Sequence, residues 1–446
     1  MLDIFGDRYG SCDGLSRRNF VRLGSLGLGA LTLPDLLRAR SASAKSGQAV
    51  SPGSKAVIQV VLSGGPSHME TYDPKPDAPS GYRTDIKGGA TSVPGVSLSE
   101  LMPRQARLMD RIAVLRSLTH ETSDHFAGLH WILTGFASTQ QQQNQNERPS
   151  IGSVVAKLQG ANGPGVPPYV AMSGGAAFGG LFQGGAYLGP GYNPFQLDGD
   201  PTGDLKVRNL QPPEGLTLDR LEDRRGLLAA LDRVDRRRDL SGTMSGLDRF
   251  TAQAYEMVTG PAARRALDLT REDPRARDRY GRTRIGQSCL LARRLVEAGV
   301  TFVTIAEGNW DHHAQVAQMC RQQVPPLDAA LGSLIEDLHD RGLADNVLVV
   351  VWGEFGRTPR LNGSGGRDHW PGSMSAMLAG GGLKMGQVIG ATNRKGEQPT
   401  ERPLRPEDVI RTVYHVLGLD PAHEFPNESG RPMPVMNQGR PIAELI

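Results

Sequence analysis

Three short apolar runs, each followed directly by a loop of polar and charged residues, constrain the fold of this chain most strongly. The runs are residues 56–62 (AVIQVVL), 300–305 (VTFVTI) and 347–352 (VLVVVW). Runs this short, nearly all apolar and rich in β-branched residues, are typical of strands that are buried on both faces of a parallel sheet. Ligands of open α/β sheets gather at the carboxyl ends of such strands. The loops after these runs are therefore where we expect a functional site.

Segments with helical periodicity alternate with the strands. Further strands are predicted at 112–115, 169–172 and 374–378, and helices at 101–111, 151–158, 285–298, 327–341 and 406–417, with another helix that ends at Gly135. Helical patterns at 216–240 and 247–258 indicate an insertion over about 211–280. This alternation predicts an α/β fold with a largely parallel central sheet and helices on both faces.

Charge and cysteine content exclude several classes of protein. The formal net charge is only +3, and the run Arg236–Arg238 is flanked by acids, as on a solvated helix face. We therefore expect no nucleic-acid partner. Three cysteines cannot form a disulfide framework. Cys289 and Cys320 could pair, but buried thiols are the simpler interpretation.

The first 44 residues have the features of a twin-arginine signal peptide. Residues 16–22 (SRRNFVR) carry the arginine pair, and an apolar run of small residues follows at 23–33. That run is shorter than the ~20 residues that span a bilayer, so it predicts no stable membrane anchor. Residues 42–44 (ASA) match a cleavage site. We expect the Tat machinery to export a single domain of residues 45–446 to the periplasm or the cell exterior.

Histidines occur beside carboxylates in the loops that follow predicted strands. The clusters are His68 with Glu70 and Asp73, Asp124 with His125, Asp311 with His313, and Asp368 with His369. Imidazole and carboxylate together suit Zn, Mn or Fe better than Ca or Mg. These clusters predict a metal site, although hydrogen bonds that order the loops would also account for them.

Arg357 and Arg367 flank the loop after the third run. A guanidinium is a planar fork that can bind two oxygens of a phosphate or sulfate. A structural bridge from arginine to aspartate is the alternative. The sequence has no G-x-S-x-G elbow, no P-loop and no G-x-G-x-x-G after a strand.

Several long motifs resemble one bacterial family. They are GGPSHMETYDPKP, DHFAGLHWILTG, RYGRTRIGQSCLLARRLVEAGVTFVTI, NWDHH, GEFGRTPRLNGSGGRDHWP and AGGGLKMGQVIGATN. The chain resembles the Tat-exported, sulfatase-like proteins that are number fifteen-oh-one among the domains of unknown function. The resemblance implies the fold of the alkaline phosphatase/sulfatase superfamily. It also implies hydrolysis of sulfate or phosphate esters with one or two bound metals.

The superfamily pattern, carried over onto this chain, implies specific metal ligands. Asp311, His313 and His369 match the ligands of one metal. Glu354 matches a ligand of a second metal, while the next ligand position is Phe355, which cannot bind one. The first-strand aspartate falls near residues 63–64, where no carboxylate stands. His68, Glu70 or Asp73 could substitute for it.

The superfamily nucleophile is a Ser, Thr or formylglycine, and its position here is His125. We therefore expect His125, with its neighbour Asp124, to serve as nucleophile or general acid/base. Direct attack by a metal-activated hydroxide and loss of catalysis stay open. Arg357 or Arg367 is expected to stabilise charge on the transferred group.

The sequence favours an exported hydrolase of anionic esters, sulfate before phosphate, that uses one or two divalent ions. Zn is favoured over Mn or Fe as the metal. An anionic ester is the expected substrate, with sulfated polysaccharide as a candidate. The alternative is a non-catalytic binding or surface-assembly protein that retains the sulfatase-like fold.

Overall fold

The computed structural model of the protein describes residues 54–138, 146–173, 182–197, 199–203 and 260–446. The predicted signal peptide and the predicted helices at 216–240 and 247–258 lie outside the described residues. Within the described ranges, no helix is long and apolar enough to cross a membrane.

A central sheet of eight strands organises the fold. In chain order the strands are β1 (Ala56–Leu62), β2 (Ile112–Leu118), β3 (Tyr169–Met172), β4 (Phe195–Gln196), β5 (Phe302–Glu307), β6 (Val347–Trp352), β7 (Met374–Gly380) and β8 (Gln387–Ile389). Their order across the sheet is β8-β2-β7-β6-β1-β5-β3-β4. All neighbours pair in parallel except β7, which is antiparallel to both β2 and β6.

Strand β1 lies at the centre of the sheet and sets the register of the site. Every residue of β1 is buried, as its nearly continuous apolar sequence predicts. Leu62 at its end is level with Glu307 of β5, and Val61 is level with Trp352 of β6. The loops that leave β5, β1 and β6 therefore start side by side at one edge of the sheet.

Helices cover both faces of the sheet. They are α1 (Pro103–Arg107), α2 (His125–Thr134), α3 (Ile151–Leu158), α4 (Pro261–Leu267), α5 (Pro274–Tyr280), α6 (Arg284–Glu297), α7 (Val316–Asp340) and α8 (Pro406–Leu417). One apolar core joins alternate β1 residues, such as Ile58, to α6 and α7. The other joins Val57 and Val61 to α2, α3 and α8. The predicted α/β fold, with a mainly parallel sheet and helices on both faces, is confirmed.

The boundaries of one long helix differ from the prediction. Sequence patterning placed its start at residue 327, after the pair Pro325 and Pro326, but α7 begins at Val316 and contains both prolines. Val316, Cys320 and Val324 are each fully buried at a spacing of four residues. This apolar stripe packs the first turns of the helix against the core, and that packing outweighs the loss of helix hydrogen bonds at the prolines.

Short strands and turns complete the described chain. Four pairs of antiparallel strands are Gly88–Ala90 with Ser97–Ser99, Gly356–Arg357 with His369–Trp370, Ala391–Thr392 with Pro399–Glu401, and Glu424–Pro426 with Pro432–Pro434. Single 3-10 turns occur at Met109–Arg111, Ala186–Leu188, Pro190–Tyr192, Leu269–Arg271 and Ala443–Leu445. Cys289 and Cys320 are buried free thiols, as expected.

Candidate metal centre

The carboxylate of Asp311 is the centre of a cluster of three histidines. Oδ1 of Asp311 lies 3.0 Å from Nε2 of His313 and 3.1 Å from Nε2 of His369, and these two nitrogens are 3.1 Å apart. Oδ2 lies 3.4 Å from Nε2 of His125. The loop after β5 supplies Asp311 and His313, the chain after β6 supplies His369, and the first turn of α2 supplies His125.

The spacing of these donor atoms fits one small cation. Ligands of a tetrahedral zinc ion with bonds of ~2.0–2.1 Å lie about 3.3 Å apart. The three contacts among Asp311, His313 and His369 are close to that value. The donor atoms of His125, Asp311 and His369 also lie within 4.8 Å of one another. A carboxylate with imidazoles is a donor set that suits Zn, Mn or Fe.

The second ring nitrogen of each histidine is held by an oxygen. Nδ1 lies 2.8 Å from Asp368 Oδ1 in His313, 2.7 Å from the Ser123 carbonyl in His369, and 2.7 Å from an oxygen of Glu354 in His125. Because a carbonyl oxygen can only accept, His369 donates to it through Nδ1, and a cation could then replace the proton that Nε2 shares with Asp311. This arrangement is typical of histidines that bind metals.

Hydrogen bonding makes Asp311 strongly acidic. Burial alone would raise the pKa of Asp311, but hydrogen bonds from His125, His369 and Arg357 outweigh it and hold the pKa far below its usual value. Burial alone would lower the pKa of His125, but Asp311 and Glu354 raise it to about 9. The centre thus holds an ionised carboxylate at neutral pH, and a bound cation would compete with the proton on His125.

Arg357 ties the loops together and is fully buried. Its Nε donates to the carbonyl of Gly65 at 2.8 Å, and Nη1 donates to the carbonyl of Arg367 at 3.0 Å. Nη2 donates to the carbonyl of Gly64 and to Oδ1 of Asp311. All three nitrogens therefore contact protein oxygens. Arg357 is placed to orient Asp311, as in the structural bridge that the sequence left open, and its expected role toward a transferred group stays a prediction.

Arg367 is also fully buried and forms an ion pair with Glu70. Nε and Nη2 donate to the two carboxylate oxygens at 2.9 and 2.7 Å. The backbone carbonyls of Thr358, Pro359 and Tyr82 accept the remaining bonds, so five hydrogen bonds match the five N–H groups of the side chain. The structure therefore places Arg367 and Glu70 outside the cluster, bound to each other.

The residues expected to form a second metal site are not brought together. His68 is buried with its Nε2 2.9 Å from the carbonyl of Gly396, and burial lowers its pKa. Glu70 is engaged by Arg367, as described above. Neither residue shares a contact with Glu354 among the described residues. The structure thus forms one candidate metal centre from the predicted ligands.

Glu354 lies directly behind the cluster. Its Oε1 accepts a hydrogen bond from the backbone N–H of Gly64 at 2.7 Å, in addition to its contact with His125. Its Oε2 is buried and makes no hydrogen bond within the described part of the chain. The expectation that Glu354 binds metal directly stays a prediction.

Asp124 has a local structural role. Its Oδ1 accepts a hydrogen bond from the backbone N–H of Ala127 at 2.9 Å, so Asp124 is the N-cap of α2. Gly135 ends this helix in the left-handed conformation, as the sequence predicted. The cap fixes the first turn of α2, and with it the position of His125.

Sequence reasoning missed several contributors to the centre. Phe355, noted only as unable to bind metal, packs its ring against those of His369 and His125, with centroids 4.5 and 5.0 Å apart. Asn309 and Gln315, on either side of the Asp311 loop, have positive φ angles of 69° and 48°. Backbone strain of this kind is concentrated at functional sites. No sequence signal marked these positions.

A cleft of about 510 Å³ opens beside the cluster. Two histidines of the cluster, several hydroxyl and carboxylate side chains and three apolar residues line it. The lining residues are Glu121, Thr122, Ser123, Asp124, His125, Ala127, Trp131, Ala137, Ser138 and His369. A ligand in this cleft would contact His125 and His369 directly.

Solved structures similar to the chain include three hydrolases. The PsFucS1 sulfatase from Pseudoalteromonas sp. is 14% identical, with 86% of this chain and 70% of that chain covered and a TM-score of 0.35. A variant of TAB5 alkaline phosphatase is 11% identical, with coverage of 84% and 100% and a TM-score of 0.39. The phosphonate monoester hydrolase of Agrobacterium radiobacter is 10% identical, with coverage of 83% and 75% and a TM-score of 0.36.

No curated protein matches the sequence significantly. One family model, described as Protein of unknown function, matches residues 54–446, which include every residue of the cluster. The chain therefore belongs to the DUF1501 family.

Proposed function

We propose that the protein is an exported, metal-dependent hydrolase of anionic esters, with sulfate esters favoured over phosphate esters. The observation that carries this proposal is the convergence of Asp311, His313 and His369, whose donor atoms lie 3.0–3.1 Å apart. The ester class rests on the family resemblance of the sequence motifs. Export rests on the twin-arginine motif at residues 16–22.

Asp311, His313 and His369 would hold the metal ion, with Zn favoured over Mn or Fe. When bound, such an ion polarises an ester oxygen and brings the ionisation of water close to neutral pH. Arg357 keeps Asp311 ionised and oriented by direct hydrogen bonding. Asp368 fixes the ring of His313 in the same way.

The cleft beside the cluster would receive the alcohol portion of the ester. Thr122, Ser123 and Ser138 contribute hydroxyl groups to its lining, and Glu121 and Asp124 contribute carboxylates. Hydroxyl and carboxylate groups can exchange hydrogen bonds with a polyol. A sulfated polysaccharide, bound through its sugar hydroxyls, is therefore one candidate substrate.

A non-catalytic binding protein is the second candidate. It is favoured by Arg367, whose five N–H groups all bond to protein oxygens and so are not free to stabilise charge on a transferred group. It is also favoured by the histidine at position 125, where the superfamily carries its nucleophile.

Metal analysis of the chain from Lys45 onward, purified without chelator, tests the proposal. We expect about one equivalent of Zn, Mn or Fe, as a single metal centre would bind. The substitution His369→Ala should abolish binding, whereas His339→Ala, at an exposed position near the end of α7, should not change it. A folded wild-type protein without metal would overturn the proposal. Metal binding without hydrolysis of aryl sulfates or aryl phosphates would favour the binding protein.

A further inference from the structure

The surroundings of His125 are those of a metal ligand. We propose that His125 binds the same ion as Asp311, His313 and His369, and that it does not form a covalent intermediate with the substrate. The protein then supplies three imidazoles and one carboxylate, and water would bind as a fifth ligand, a number that zinc can accept. This inference rests on the metal site of the proposed function and names a further residue in it.

His125 has the same orientation toward the centre as the other two histidines. Its Nε2 lies 3.4 Å from Oδ2 of Asp311, while Oδ1 of the same carboxylate contacts His313 and His369. Its Nδ1 points away from Asp311, toward Glu354. Three rings thus present the same nitrogen to one carboxylate, which is the geometry that a shared cation would require.

The anchor of His125 is rigid and charged. Glu354 is fully buried, and its Oε1 is fixed by the backbone N–H of Gly64 while it contacts Nδ1 of His125 at 2.7 Å. A carboxylate that holds the outer nitrogen of a ligand histidine sets its tautomer and raises its basicity. Glu354 therefore supports His125 as Asp368 supports His313.

The same contacts oppose a role as nucleophile. Nε2 of His125 points at Asp311, so a cation bound to that carboxylate would take up the lone pair that a nucleophile needs. The ring packs against Phe355 and against His369, with centroids 5.0 and 4.4 Å apart. Only 12% of the side chain is exposed. These neighbours leave little space for a tetrahedral group on Nε2.

Hydrolysis would then occur by a single displacement. The oxygen of water bonds to sulfur or phosphorus while the bond to the ester oxygen breaks. One proton of that water ends on the departing alcohol, and the other is released from the product acid. No bond between His125 and the substrate forms at any stage.

Metal affinity, measured by competition with a chromogenic chelator, tests the inference. The substitution His125→Ala should lower zinc affinity by more than about 100-fold, because loss of a ligand should exceed the ~10–100-fold effect of losing an outer partner. Glu354→Gln should lower it by about 10–100-fold. His415→Ala, an exposed histidine on α8, is the matched control and should leave affinity unchanged. The visible spectrum of the cobalt-substituted protein should change in His125→Ala and in Glu354→Gln, but not in His415→Ala.

Two results would overturn the inference. One is a His125→Ala protein, or the bulkier His125→Gln, whose zinc affinity and cobalt spectrum are the same as those of the wild type. The other is a phosphoryl or sulfuryl group on His125, found by mass spectrometry of acid- and base-quenched samples of the metal-loaded wild type. If both His125 variants fail to fold, an unchanged affinity in folded Glu354→Gln would also overturn it. Absence of metal from the wild type would instead defeat the proposed function.

Discussion

The buried ion pair of Arg367 and Glu70 leads to a prediction about stability. The prediction tests whether Arg367 has a structural or a catalytic role. The substitution Arg367→Met would leave the Glu70 carboxylate buried with hydrogen bonds from only Ser67 and Thr84. Breaking a buried ion pair from one side costs ~3–5 kcal/mol. We therefore expect Arg367→Met to lower the free energy of unfolding by about 4 kcal/mol. Glu70→Gln should have a similar effect, because it strands the guanidinium instead.

The double variant Arg367→Met/Glu70→Gln should be less damaging than the sum of the two, by up to about 3 kcal/mol, since no unpaired charge remains. Urea unfolding of all four proteins measures this coupling. Burial alone would raise the pKa of Glu70, but Arg367 outweighs it and holds the pKa below the usual value. A lowered pKa contributes stability that is complete above the unfolded value of ~4.3 and is lost as pH falls through the folded value. The coupling should therefore decline only below about pH 4.

The reasoning would be refuted if Arg367→Met unfolded like the wild type and instead weakened the binding of inorganic sulfate or phosphate. That result would mean that the guanidinium reaches the cleft. Arg367→Lys is a useful comparison, because it keeps the charge but cannot make five hydrogen bonds. It should retain only part of the stability.

Two further predictions concern loops around the centre. A Cβ at Gly366 would lie 2.1 Å from the backbone carbonyl carbon of His313, so Gly366→Ala should lower the free energy of unfolding by about 3 kcal/mol and weaken metal binding. Gly363→Ala in the same loop is the control, because a Cβ there would have no atom within 4 Å, and it should change neither quantity. Urea unfolding and metal titration measure the two effects. Asp124→Ala should lower the free energy of unfolding by about 1 kcal/mol, because it removes the N-cap of α2. Asp124→Asn keeps the cap and should retain stability, metal content and activity. A loss of turnover in Asp124→Asn would show that Asp124 acts in catalysis.

The strands that are buried on both faces could be located from the sequence, although β5 lies two residues later than the predicted 300–305. The predicted bounds of Ala56–Leu62 and Val347–Trp352 are the observed ones, because a strand covered on both faces has a nearly continuous apolar sequence bounded by polar loops. The antiparallel direction of β7 could not be predicted, since an apolar run has no signature of direction. The start of α7 was missed because its prolines resembled a boundary signal.

The candidate site could be predicted only in part. The strand ends and the short spacing of histidines and carboxylates predicted a metal site, and the family resemblance implied Asp311, His313 and His369 as its ligands. The partners of Arg367 and Glu70 could not be predicted, because the two residues are 297 positions apart and their pairing depends on how two loops pack. For the same reason, the sequence alone could not show that the side chain of Arg367, which lies in a polar loop, is fully buried.

The hydrogen bonds of Arg357 have a consequence for folding. They join Arg357 to Gly64, which is 293 positions earlier in the sequence, and to Asp311, which is 46 positions earlier. These bonds can therefore form only after β1 has paired with β6 in the sheet. Contacts of such long range are late and entropically costly to establish. The metal ligands are therefore not preassembled in a partly folded chain. Tight metal uptake would follow completion of the sheet, and the bound ion would in turn slow global unfolding.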